Sequence, residues 1–109
     1  MATAPRRTTY TSGLVIATNT TYNGTAKLTL PFAAERVTVS VVASSGSPLL
    51  QLSFDGVTDV ATVHHDKGSP ASTYTFALQR VTTLFYRQTG TDCHFIVNAE
   101  MQSFPTSIG

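Results

Sequence analysis

Residues 35–43 read Glu-Arg-Val-Thr-Val-Ser-Val-Val-Ala. Val37, Val39 and Val41 fall on one side of an extended chain, and Thr38 and Ser40 on the other. A two-residue period with β-branched residues on the apolar side describes a half-buried strand, since successive side chains point to opposite faces. The same alternation recurs outward from this segment. Upstream, Ala26, Leu28 and Leu30 alternate with Lys27 and Thr29, after the tight-turn pair Asn23-Gly24 and the short apolar run Leu14–Ala17. Downstream, Leu50, Leu52 and Phe54 alternate with Gln51 and Ser53, and Asp55-Gly56 turns the chain into an irregular segment, Val57–Val63. Tyr74, Phe76 and Leu78 follow, then Val81–Tyr86, then Cys93, Phe95, Val97 and Ala99. About eight strands separated by turn signals every ~8–12 residues predict an antiparallel sandwich or barrel. The expected core is Leu28, Leu30, Val39, Val41, Leu52, Phe54, Phe76, Leu84, Phe95 and Val97.

Composition agrees. The 109 residues include 19 Thr and 10 Val, but only 12% are charged. A coiled coil or bundle would be rich in Ala, Glu, Lys and Leu instead. One domain is expected, because two would each be too small to bury a core unaided. Seven Lys+Arg against six Asp+Glu give a net charge of +1, far from the concentrated basic face of a nucleic-acid binder. No run approaches the ~20 apolar residues of a membrane span. The N-terminus has two arginines but no apolar stretch of signal-peptide length behind them, and one cysteine forms no disulfide framework. A cytoplasmic site of synthesis and assembly is therefore expected.

The organisation expected is an extended arm over residues 1–13, a β domain over 14–100 and an extended tail over 101–109. The arm is polar and contains Pro5, Arg6 and Arg7, so contacts outside it must order it. It would lie along its own sheet edge or on a neighbouring subunit. In the second case Arg6 and Arg7 would bind carboxylates there, with Tyr10 beside them as a further contact.

Chemistry-bearing groups are sparse. His64, His65, Asp66 and His94 are the metal-ligand types that might gather, but strand alternation sends His64 and Asp66 to one side and His65 to the other, and zinc needs three or four converging ligands. No metal site or cofactor is expected. Cys93 and His94 are neighbours on a strand and point apart, so Cys93 reads as a small core hydrophobe. Gly-x-Ser-x-Gly and a Gly-rich phosphate loop are absent. Asp55 before Gly56 reads as a turn residue rather than a calcium ligand. No enzyme is expected. Arg80 and Arg87 stand at the two ends of a strand with bulk on both faces. Either both pair with Asp55, Asp59 or Asp66 within the domain, or one reaches a neighbouring subunit.

Ser53-Phe54-Asp55-Gly56, a polar loop, Arg80-Val81-x-x-Leu84-x-Tyr86-Arg87 and a closing strand ending Val97-Asn98-Ala99 together resemble small virion proteins of tailed bacteriophages. The resemblance covers about residues 37–100. It implies a jelly-roll-like β-sandwich with a structural role in the virion, most simply a capsid decoration (cement) protein. Its partners would be further copies of itself and a major capsid or neck/tail protein, and it would be assembled in the host cytoplasm. A neck or tail component is the first alternative. A glycan-binding module is a second, although Trp is absent and Tyr10, Tyr22, Tyr74 and Tyr86 are scattered.

Overall fold

The computed structural model describes the backbone of residues 6–103 and the side chains of residues 8–77 and 80–101. Six strands are present in this span: β1 (Arg6–Ala17), β2 (Lys27–Ser44), β3 (Leu49–Ser53), β4 (Asp59–His64), β5 (Ser72–Thr89) and β6 (Cys93–Ser103). All pairings are antiparallel, in the order β1-β6-β2-β5-β3-β4. No helix occurs among the described residues. The chain is all-β, as the alternation predicts. Of the expected arm, residues 1–5 lie outside the described residues and 6–13 belong to β1. Of the expected tail, 101–103 belong to β6 and 104–109 lie outside.

The count is six rather than eight because two strands each contain two of the expected ones. β2 runs through 27–30 and 35–43, and β5 through both 74–78 and 81–86. Their pairing is regular from Lys27↔Phe85 to Thr29↔Thr83, then jumps to Ala34↔Val81 and Arg36↔Ala77. Pro31 sits in the gap, where its missing N–H breaks no ladder bond. On the facing strand Arg80 takes φ 47. Extra residues at such a register shift bend and twist a strand without ending it. Each long strand thereby passes from one half of the sheet to the other. The second half of β2 lies between β5 and β6, and the second half of β5 between β2 and β3.

The two halves share one core. Val37, Val39 and Val41 of β2 and Phe95 and Val97 of β6 belong to the same buried cluster as Leu50 and Leu52 of β3 and Leu84 of β5. Tyr86, in the β3-side half, meets Phe95 edge-on at 5.1 Å, and Phe54 meets Phe76 likewise at 5.1 Å. Each large apolar side chain so buried contributes about 1.5–3 kcal/mol before entropy is counted. Eight of the ten expected core residues are buried; Leu28 and Phe54 are partly buried against the cluster. Ala17, Val37, Leu50, Val63 and Val81 join them.

Candidate functional site

The half built from β1, β6 and the second part of β2 presents a flat outer face, formed by the residues that alternate with the core positions. Register places Thr11, Asn98, Thr38 and Thr75 side by side across four strands. The Thr11 hydroxyl donates to Asn98 Oδ1 at 2.8 Å, and Thr38 and Thr75 share a hydrogen bond at 3.2 Å. One row along, Arg36 pairs with Glu100 at 3.3 Å. A shallow depression of about 450 Å³ opens here, lined by Thr9, Tyr10, Arg36, Thr38, Asn98 and Glu100. In the other direction the face turns apolar: Leu14 lies opposite Ile96, Ile16 opposite His94, and Val42 projects at the β2 register shift. Among the described residues both ends of the sheet are open. β1 and β4 each have one hydrogen-bonded neighbour, so each carries an unpaired backbone edge. Gly13, at φ 74, lets β1 shift register between Thr11 and Leu14, and the Val97 N–H donates to Ser12 Oγ at 2.9 Å.

The residues singled out from sequence are dispersed. Tyr10 lines the depression and packs on the core. Arg80 is exposed at the bend of β5 and makes no hydrogen bond or ion pair among the described residues. Arg87 reaches Asp59 with contacts of 3.1 and 3.3 Å and lies over the Tyr22 ring. The side chains of Arg6 and Arg7 lie outside the described residues. Tyr22, Arg36, Asn98 and Glu100 were not singled out. For the last three the only signal is that they occupy the polar phase of strands whose apolar phase is unmistakable.

The polar loop behaves as the alternation argument requires, with one difference. His64 and Asp66 share a side at 3.2 Å, and both are exposed. His65 points the other way but is buried, not solvated. Its Nε2 faces the Ser69 carbonyl at 3.2 Å and its Nδ1 the Ser44 hydroxyl at 2.7 Å. No group of three or more His, Cys, Asp or Glu gathers among the described residues. Cys93 is fully buried. Burial, with Asp92 nearby, pushes its thiol up to about 11, the opposite of an activated nucleophile.

The Ser53–Gly56 stretch behind the phage-virion resemblance is occupied by the fold. In Ser53-Phe54-Asp55-Gly56 the Ser53 hydroxyl accepts from the N–H groups of Asp55 and Gly56, and Asp55 Oδ1 accepts from those of Val57 and Thr58. Gly56 takes φ +79 where an added Cβ would sit 3.3 Å from the Phe85 ring. This is turn chemistry open to any hairpin.

No protein-family model and no curated protein matches the chain by sequence. A solved structure does match, from work titled "Bacillus endospore appendages form a novel family of disulfide-linked pili". The likeness covers 94% of this chain and 94% of that one, with a TM-score of 0.52 and 14% identity. At that identity the shared property is the fold. It nonetheless corrects the expectation drawn from the short motifs. A fold match over nearly the whole chain leads to a pilus protein, so the tailed-phage virion resemblance, the capsid-decoration role, the capsid and neck/tail partners and the location in a virion assembled in the host cytoplasm do not stand.

Proposed function

We propose that this chain is a structural subunit that polymerises with copies of itself into a filamentous surface appendage. The observation that carries the reading is a fold shared end to end with a pilus protein, here with two open sheet edges, β1 and β4. Unpaired edges are templates for strand addition. Two different edges on one subunit support open-ended growth, because heterologous contacts that do not close make filaments. Low charge lets such surfaces meet without desolvating many ions.

The chain departs from a disulfide-linked polymer in one respect. Covalent linkage on both sides of every subunit needs two accessible thiols. These 109 residues contain one cysteine, and it is fully buried. The polymer proposed here is held by non-covalent contacts. The test is to concentrate the purified chain and follow it by light scattering and electron microscopy, with and without reductant. Filaments that persist in reductant are expected. A chain that stays monomeric at every concentration would overturn the reading.

A further inference from the structure

Among the described residues, nothing covers the apolar end of the outer face. Leu14 is 58% exposed, Ile16 50% and Val42 37%, with Ile96 between them on β6. Single exposed apolar residues are ordinary, but three that adjoin a half-buried Ile96 on one flat face mark a contact. β1 and β6 run antiparallel, with Ala17 opposite Cys93 at this end and Arg6 opposite Ser103 at the far end. Six residues follow Ser103: Phe104-Pro105-Thr106-Ser107-Ile108-Gly109. Their side chains carry no charge, and two of them are large and apolar.

This segment cannot cover the patch of its own chain. Ser103 and Ile96 are seven residues apart on one strand, about 23 Å at strand rise. Ile108 lies five residues beyond Ser103 and reaches no more than about 18 Å even fully extended, before any residue is used to reverse direction. Leu14 is level with Ile96, and Ile16 is farther still. A second copy placed end to end along the strand direction has no such limit.

We infer that residues 104–109 of one copy dock on the Leu14–Ile16–Val42–Ile96 patch of the next, linking subunits head to tail. The inference rests on the self-assembly reading above and adds the contact along the filament. Donor and acceptor are different surfaces at opposite ends of one sheet face, so the contact repeats without closing. Phe104 and Ile108 supply apolar area, and no charged side chain of the segment has to be desolvated. Pro105 has a fixed φ, which lowers the entropy lost on docking.

The test uses two full-length variants. Phe104→Ser with Ile108→Ser is a copy that accepts but cannot donate; Leu14→Ser with Ile16→Ser is one that donates but cannot accept. Both changes in the second variant are at exposed positions, and circular dichroism and thermal melting check that each variant is folded. Either variant alone is expected to raise the critical concentration for assembly by tenfold or more, as when a large apolar side chain loses its burial. Mixed together below that raised concentration, they are expected to give a one-to-one heterodimer and no polymer. In parallel, a labelled peptide of residues 103–109 should bind the first variant and fail to bind the second. Unchanged assembly by both variants, with no peptide binding, would overturn this contact while leaving self-assembly through the sheet edges standing. A wild-type chain that never assembles would instead remove the underlying reading.

Discussion

The guanidinium of Arg87 lies 4.7 Å from the centre of the Tyr22 ring, and both side chains reach the carboxylate of Asp59. The loop between β1 and β2 is thereby fastened across β5 to the edge strand β4. Arg87 and Asp59 are partly exposed, at 28% and 36%, so the ion pair alone is worth little. The stacked ring and the phenolic hydrogen bond turn it into a three-membered network.

Substitution should reveal that coupling. Tyr22→Phe is expected to cost about 0.5–1.5 kcal/mol, the usual net value of a hydrogen bond, and Asp59→Ala about 1 kcal/mol. The double variant should cost less than the sum, measured by denaturant unfolding. Strict additivity would mean that the three side chains are not acting together. Burial, and then the hydrogen bond to Asp59, raise the Tyr22 phenol above its ordinary 10.0. A folded-state value above the unfolded one gives stability that is complete below about pH 10 and is lost as pH rises beyond it. Tyr22→Phe should therefore flatten the alkaline decline in melting temperature.

Much of this fold is legible in the sequence wherever one face is buried and the other wet. Val37, Val39 and Val41 against Thr38 and Ser40 fix a phase that tertiary contacts leave unchanged, and the phase of Cys93 with Phe95 and Val97 places it in the core. The bends are not legible. Pro31 and the stretch around Arg80 look like strand ends, because a residue that pairs irregularly and one that pairs not at all have the same local chemistry. The burial of His65 is hidden for a related reason: its neighbours are loop residues, and beside the nearby Ser69 carbonyl it depends on a contact 21 positions away, at Ser44. The partner of Arg87 has three candidates in sequence, and spatial proximity selects Asp59. The exposed apolar patch cannot be read at all, since Leu14 and Ile16 are as apolar as any core residue, and only the position of β1 at the sheet edge leaves them uncovered.

Asp55 should make the β3–β4 turn acid-sensitive. Hydrogen bonds from the Thr58 and Val57 N–H groups, and then from the Ser53 hydroxyl, hold its carboxyl at about 2, below the ordinary 3.8. A depressed folded-state value gives stability that is present above about pH 4 and is lost as pH falls toward 2. Asp55→Asn should remove that part of the acid dependence, compared by melting temperature across the acid range. A carboxyl titration by NMR with an ordinary midpoint would contradict the turn geometry.

His65 fastens the β4–β5 loop to the β2–β3 loop. The Ser69 carbonyl can only accept, so Nε2 carries the proton and Nδ1 faces the Ser44 hydroxyl as an acceptor, where it shares that hydroxyl's single proton with the Gly46 carbonyl 3.0 Å away. His65→Ala takes the imidazole N–H from the Ser69 carbonyl, leaves the Ser44 hydroxyl with Gly46 alone and opens a cavity, for a loss of about 2–3 kcal/mol. Nitrogen chemical shifts should show a protonated Nε2 at alkaline pH. A protonated Nδ1 there would mean that Ser44 does not donate.

Cys93 provides the sharpest separation between this chain and a disulfide-linked assembly. The thiol is fully buried between β1 and β2, opposite Ala17 and Ser44. Burial first, and Asp92 second, raise it from 9.0 to about 11. A rise of that size lowers the thiolate population at neutral pH about a hundredfold, and exclusion of the reagent slows reaction further. The folded chain should therefore be nearly inert to a thiol-specific reagent that labels the denatured chain completely. Cys93→Ser should leave filament formation intact, with at most a modest loss of stability from placing a hydroxyl in an apolar site. Denaturing gels run without reductant should show single chains from assembled material. A ladder of covalent multimers that collapses with reductant, and that Cys93→Ser abolishes together with assembly, would show that the thiol leaves the core to link subunits.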